Sequence, residues 1–122
     1  MSRMVLIVDH DASVRTKVKC ALALEQCSVV EAGDSIEAFE RFNSGLQPEL
    51  IIAGISMIRE DCMNLIRAVR GISAYRQVPI LIMDADASEE SQMDWKEAGA
   101  TCCIPKPFTT GKLLETVRLL MF

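Results

Sequence analysis

Four places in this chain put residues able to do chemistry, or conspicuously unable to, directly after short apolar runs. Asp9, His10 and Asp11 follow the run 4–8, Asp84 follows 78–83, and Lys106 lies between Pro105 and Pro107 just after 101–104. The fourth place, after 49–53, holds Gly54, which offers neither nucleophile nor ligand. A zinc site is not expected, because Cys20, Cys27, Cys62, Cys102 and Cys103 form no CxxC pair and His10 is the sole histidine. The cysteines read as buried thiols in a reducing compartment. The adjacent Cys102 and Cys103 read as small strand residues rather than an oxidant sensor.

These places are positioned by alternating strands and helices. Strands are expected over 4–8, 28–32, 49–53, 78–83 and 101–104, each short and apolar. The helix after the first strand has Asp11 as N-cap and Val14, Val18, Ala21 and Leu22 on one face. The second is capped by Asp34, turns Ile36, Phe39 and Phe42 inward and stops at Gly45. The third carries Leu65, Ile66 and Val69, and the fourth runs from Ser88 to Gly99. The last turns Leu113, Val117 and Leu120 inward. Near-continuous apolar strands imply a parallel sheet covered on both faces, with right-handed crossovers through the helices. The expected fold is α/β, one domain over 1–122, a flavodoxin-like (βα)5 doubly wound sheet of five strands with helices on both faces. In such sheets ligands meet the carboxyl ends of the strands, where Asp9, Gly54, Asp84 and Lys106 converge.

Composition narrows the function. Half of the 122 residues are hydrophobic, enough for a core, and no run reaches the ~20 apolar residues of a membrane span. No signal peptide is read at the N-terminus. A net charge of −4 argues against a general nucleic-acid surface. Arg67, Arg70 and Arg76 read as a solvated helix face. His10, between two acids, is read as a solvated loop residue rather than a pH switch, for want of a two-state element to bias. Glu60 and Asp61 open a helix, where acids are favoured.

The segments LIVDHDASVR, AGISMIRED, PILIMDADAS and GATCCIPKPF together resemble the strand ends of a response-regulator receiver domain, and the resemblance runs from Met4 to Leu120. It implies phosphoryl transfer from a histidine kinase to an aspartate after the third strand, assisted by Mg²⁺, chemistry that is mostly positioning and charge neutralisation. Asp9 matches an acid of the family's acidic pair and Lys106 its lysine. Ser56 matches the residue that lends a carbonyl to the metal. The remaining positions depart from the pattern. His10 stands for the second acid, Gly54 for the phosphoacceptor, Asp84 for a hydroxyl residue and Cys103 for an aromatic. Ile58 and Cys62 replace a usual Pro and Gly.

The pattern is similar to that of pseudo-receivers, which work without phosphorylation. Asp9, His10, Gly54, Asp84, Cys103 and Lys106 are then a degenerate phosphorylation site with no catalytic residue. No cofactor is expected, with Mg²⁺ held at most weakly by Asp9, Asp84 and Ser56. Asp84 is expected to join Asp9 and Lys106 in one charge cluster rather than act as a relocated acceptor, since in-line transfer tolerates little misplacement. The resemblance also marks the fourth helix, fifth strand and fifth helix as a docking face, here Met93, Trp95, Lys96, Cys103 and Lys112. Trp95 is read two ways, as an interface anchor or as a residue packed on the sheet or neighbouring helix.

The expected function is phosphorylation-independent protein–protein interaction in a bacterial two-component pathway, not enzyme catalysis. The partner is another protein, an output domain or a second copy of the chain. Neither nucleic acid nor membrane is expected as a direct partner, and the location expected is the cytoplasm. Two alternatives stand beside this. One is residual Mg²⁺ and phosphoryl chemistry through Asp9, Asp84 and Lys106. The other is a small ligand at the strand ends, using the room left by Gly54, though no Gly-rich phosphate loop follows the first strand.

Overall fold

The computed structural model describes residues 3–54, 59–86 and 88–121. Five parallel strands, β1 (Arg3–Val8), β2 (Cys27–Ala32), β3 (Leu50–Gly54), β4 (Ile80–Asp84) and β5 (Cys102–Pro105), form one sheet in the order β2-β1-β3-β4-β5. They alternate with α1 (Ala12–Ala23), α2 (Ser35–Asn43), α3 (Arg59–Gly71), α4 (Glu89–Ala98) and α5 (Thr110–Met121), and a 3₁₀ turn, Ser73–Tyr75, precedes β4. This is the expected doubly wound fold.

Strand periodicity sorts the core into two halves, because alternate side chains leave a strand on opposite faces. Leu6, Val8, Ile51, Ala53, Ile80 and Ile82 pack with α2, α3 and α4 through Phe42, Ile66 and Trp95. Val5, Ile7, Leu50, Ile52, Leu81 and Met83 pack with α1 and α5 through Val18, Leu22, Leu113 and Val117.

Local chemistry fixes the helix starts. Asp11, Asp34 and Ser88 are N-caps whose side chains accept backbone N–H bonds from Ser13, Glu37 and Ser91. Gly99 ends α4 with φ +118°, and a Cβ there would also stand 2.8 Å from Cγ of Arg70. That conformation and that contact both select glycine.

Four expectations change. Cys20 is exposed on α1 rather than a buried thiol. β3 runs to Gly54 and β4 to Asp84, so both residues are the last of their strands, with Gly54 paired to Met83 and Asp84 to Pro105. Ile36 is 69% exposed. It lies two residues before the buried Ala38, roughly half a turn away on a 3.6-residue helix. Arg70 is not on a solvated face. Its guanidinium donates to the carbonyls of Gly99 (2.9 Å) and Val78 (2.6 Å), and also to those of Tyr75 and Arg76. It thus satisfies the carboxyl end of α4 and the turn before β4 together.

Candidate functional site

Asp9 follows β1, and its backbone N–H continues the ladder to Ala32 O at 3.1 Å. Its side chain is fully buried against Lys106, whose side chain is 17% exposed. Oδ2 accepts from Lys106 Nζ at 2.9 Å, and Oδ1 accepts from the Asp11 N–H at 2.8 Å. The carboxylate also fills the space above Gly54. A Cβ on residue 54 would stand 1.8 Å from Asp9 Oδ2, 2.8 Å from its Cγ and 3.2 Å from Met83 Cε. The expected room for a ligand group at Gly54 is therefore absent. The neighbouring acid has taken it, with its Oδ2 bonded to Lys106. An open cleft of about 690 Å³ lies at the opposite end of the sheet, lined by residues that include Arg3, Glu49, Arg76 and Pro79.

Asp84 has different surroundings, because parity sends its side chain to the α3–α4 face. Its Oδ2 accepts from Trp95 Nε1 (2.9 Å), Ser91 Oγ (2.9 Å) and Arg59 Nη1 (3.2 Å), and Oδ1 accepts from the Asp86 N–H (2.9 Å). Burial by itself would raise the Asp84 pKa. The bonds from Trp95, Asp86 and Ser91, with the Arg59 charge, outweigh it and hold the carboxyl below its ordinary value. The expected Asp9–Lys106–Asp84 cluster is thus two separate clusters, one on each face. Among the described residues no buried polar side-chain atom is left without a partner.

The split decides how Mg²⁺ would fare. One Asp9 oxygen is given to Lys106 and the other to a backbone N–H, Gly54 supplies no oxygen, and the Asp84 oxygens face Trp95, Ser91 and Arg59. Among the described residues no three His, Cys, Asp or Glu side chains gather as a metal set. These residues do not fit the ion. Ser56 and Ile58 lie outside the described residues.

Trp95 is fully buried, so it belongs to the core and not to a docking face. Its ring packs in the α2–α4 half of the core while its N–H answers Asp84, as a buried indole requires. On the proposed face, Met93 is 61% exposed, Lys96 and Lys112 are exposed, and Cys103 is half-buried. His10 is exposed in its loop. Burial first, and then the Asp84 charge, push the thiols of Cys62 up to about 12 and Cys103 up to about 11. Neither is poised as a nucleophile.

Two residues of the Asp84 cluster escaped the sequence reading, Arg59 and Ser91. Arg59 Nη2 lies 3.0 Å from Ser91 Oγ and 3.5 Å from Asp94 Oδ2, and its guanidinium stacks 4.6 Å over the Trp95 ring. Ser91 and Trp95 are four apart, hence on one helix face. That spacing beside a strand-end acid was the available signal.

A doubly wound sheet with an acid after β1 and a lysine after β5 meeting at its carboxyl edge defines a class of signalling domain. The response regulator receiver domain pattern matches residues 5–118, and this chain belongs to that family. It is 32% identical to the response regulator MprA of Mycobacterium tuberculosis over 121 residues, 99% of this chain and 51% of that protein. The chain thus spans about half the length of the curated relatives it matches. It superposes on the chemotaxis response regulator CheY4 of Vibrio cholerae with TM-score 0.90 at 30% identity, covering 98% of this chain and 99% of the other. A response regulator from Thermotoga maritima gives TM-score 0.87 at 26% identity, covering 99% and 98%. Among the described residues no helix is long and apolar enough to cross a membrane.

Proposed function

We propose that this receiver domain signals without phosphorylation, as a protein–protein interaction module of a bacterial two-component pathway. The observation that carries the reading is the occupation of the acceptor position. Residue 54 has no carboxylate, and the Asp9 carboxylate stands 1.8 Å from where its Cβ would be. With no nucleophile and Asp9 held by Lys106, phosphoryl transfer has neither acceptor nor a free acid to hold Mg²⁺. On this reading the domain is not an enzyme, needs no cofactor and works in the cytoplasm. Its partner is an output domain, another protein or a second copy, met through the exposed Met93, Lys96 and Lys112 of α4 and α5.

The test is an amide NMR titration of labelled protein with Mg²⁺ and then beryllofluoride, a mimic of aspartyl phosphate. The amides of Asp9, Gly54 and Lys106 are expected to stay in place throughout. Shifts clustering at Asp9 and Asp84 would overturn the reading in favour of residual metal and phosphoryl chemistry.

A further inference from the structure

We propose that Arg59 is a built-in latch that joins the start of α3 to the β4–α4 junction and holds the α4 face in one conformation with no ligand or modification. The inference goes beyond the loss of phosphorylation, since it assigns a conformational role to a residue outside the degenerate site.

Three observations carry it. First, Arg59 is the first residue of α3, yet its contacts lie on other elements: Asp84 at the end of β4, and Ser91, Asp94 and the Trp95 ring on α4. Second, these contacts close on one another. Ser91 Oγ donates to the same Asp84 oxygen that Arg59 reaches, and Trp95 donates to it from the ring over which Arg59 lies. Loss of the guanidinium leaves the buried Asp84 without its cation and Trp95 without its cover. Third, the arrangement ties the first residue of α3 to the β4–α4 junction, which is itself shaped by Asp84 accepting the Asp86 N–H and by Asp86 accepting the Ser88 N–H. The planar fork of arginine reaches several acceptors and stacks at once, which lysine cannot reproduce.

The test compares Arg59→Met and Arg59→Lys with the wild type by hydrogen exchange and by emission of Trp95, the single tryptophan of the chain. In Arg59→Met the amides of residues 86–98 are expected to exchange about ten-fold faster or more while those of α1 and α5 keep their rates, as expected of local opening. Trp95 emission should shift to the red. Arg59→Lys should recover only part of both effects. Unchanged exchange in 86–98, or a uniform rise along the whole chain, would overturn the latch and leave Arg59 an ordinary stabilising residue. Ser91→Ala is the milder variant should Arg59→Met fail to fold. It removes one bridge, and a smaller acceleration confined to 86–98 supports the latch, while none there overturns it.

Discussion

The two buried carboxylates at the strand ends make an instructive pair. Asp9 and Asp84 are the same residue type, each after an apolar run, and both are almost wholly shielded from solvent. Asp9, on the α1–α5 side, is met by the ammonium of Lys106 in a space that exists because Gly54 lacks a side chain. Asp84, on the α3–α4 side, is met by an indole, a hydroxyl, a guanidinium and a backbone N–H. One is held by a single cation and a backbone N–H in a space left by glycine, the other by four donors, three of them side chains. An acid after a strand therefore takes its role from the face it is turned to, not from its place in the sequence.

The contrast can be broken at the poorly backed-up side first. Lys106→Met should cost about 3 kcal/mol or more in urea unfolding, because it strands a buried carboxylate. A loss under about 1 kcal/mol would mean that Asp9 is as redundantly held as Asp84. Gly54→Ala comes next, at about 2 kcal/mol, since its Cβ collides with the Asp9 carboxylate. In an Asp9→Ala background most of that penalty should vanish. Additivity in the double-mutant cycle would sever the link between the empty position and the filled one.

On the other face, Trp95→Phe removes one donor of several and a little volume, so the expected loss is about 1 to 2 kcal/mol. A drop as large as that of Lys106→Met would refute the redundancy. The smallest effect is on pH. Asp84 is held below its ordinary value in the folded chain. Its contribution to stability is therefore complete above the unfolded value of about 3.9 and is lost as pH falls through the depressed folded one. Asp84→Asn should flatten the acid limb of the stability curve in that window. An unchanged limb would show the carboxyl to be indifferent to its donors.

The order and type of the elements were legible because five apolar runs alternate with capped amphipathic stretches. Asp11, Asp34, Ser88 and Gly99 announce helix ends by their own chemistry. Asp9 and Lys106 were legible as partners because both follow strands that point to one edge. The fate of Asp84 was not. It depends on inter-strand register, and a shift of one residue moves a side chain to the other face. Trp95 was ambiguous for a related reason: helix periodicity shows which residues share a face, but not which face a neighbour covers. Arg59 was hidden because a first-turn arginine reads as solvated surface unless its long-range partners are known.

Arg59 and Arg70 stand near opposite ends of α3, about 16 Å apart along its axis. Both reach across to α4, Arg59 to its first turns and Arg70 to the carbonyl of its C-cap, Gly99. In mechanical terms the two helices are a pair of rails joined by two crossbars. A rail fixed at one point can pivot, but a rail fixed at two cannot tilt without breaking a crossbar. A load placed on the outer surface of α4 is therefore expected to reach α3 at these two points rather than one.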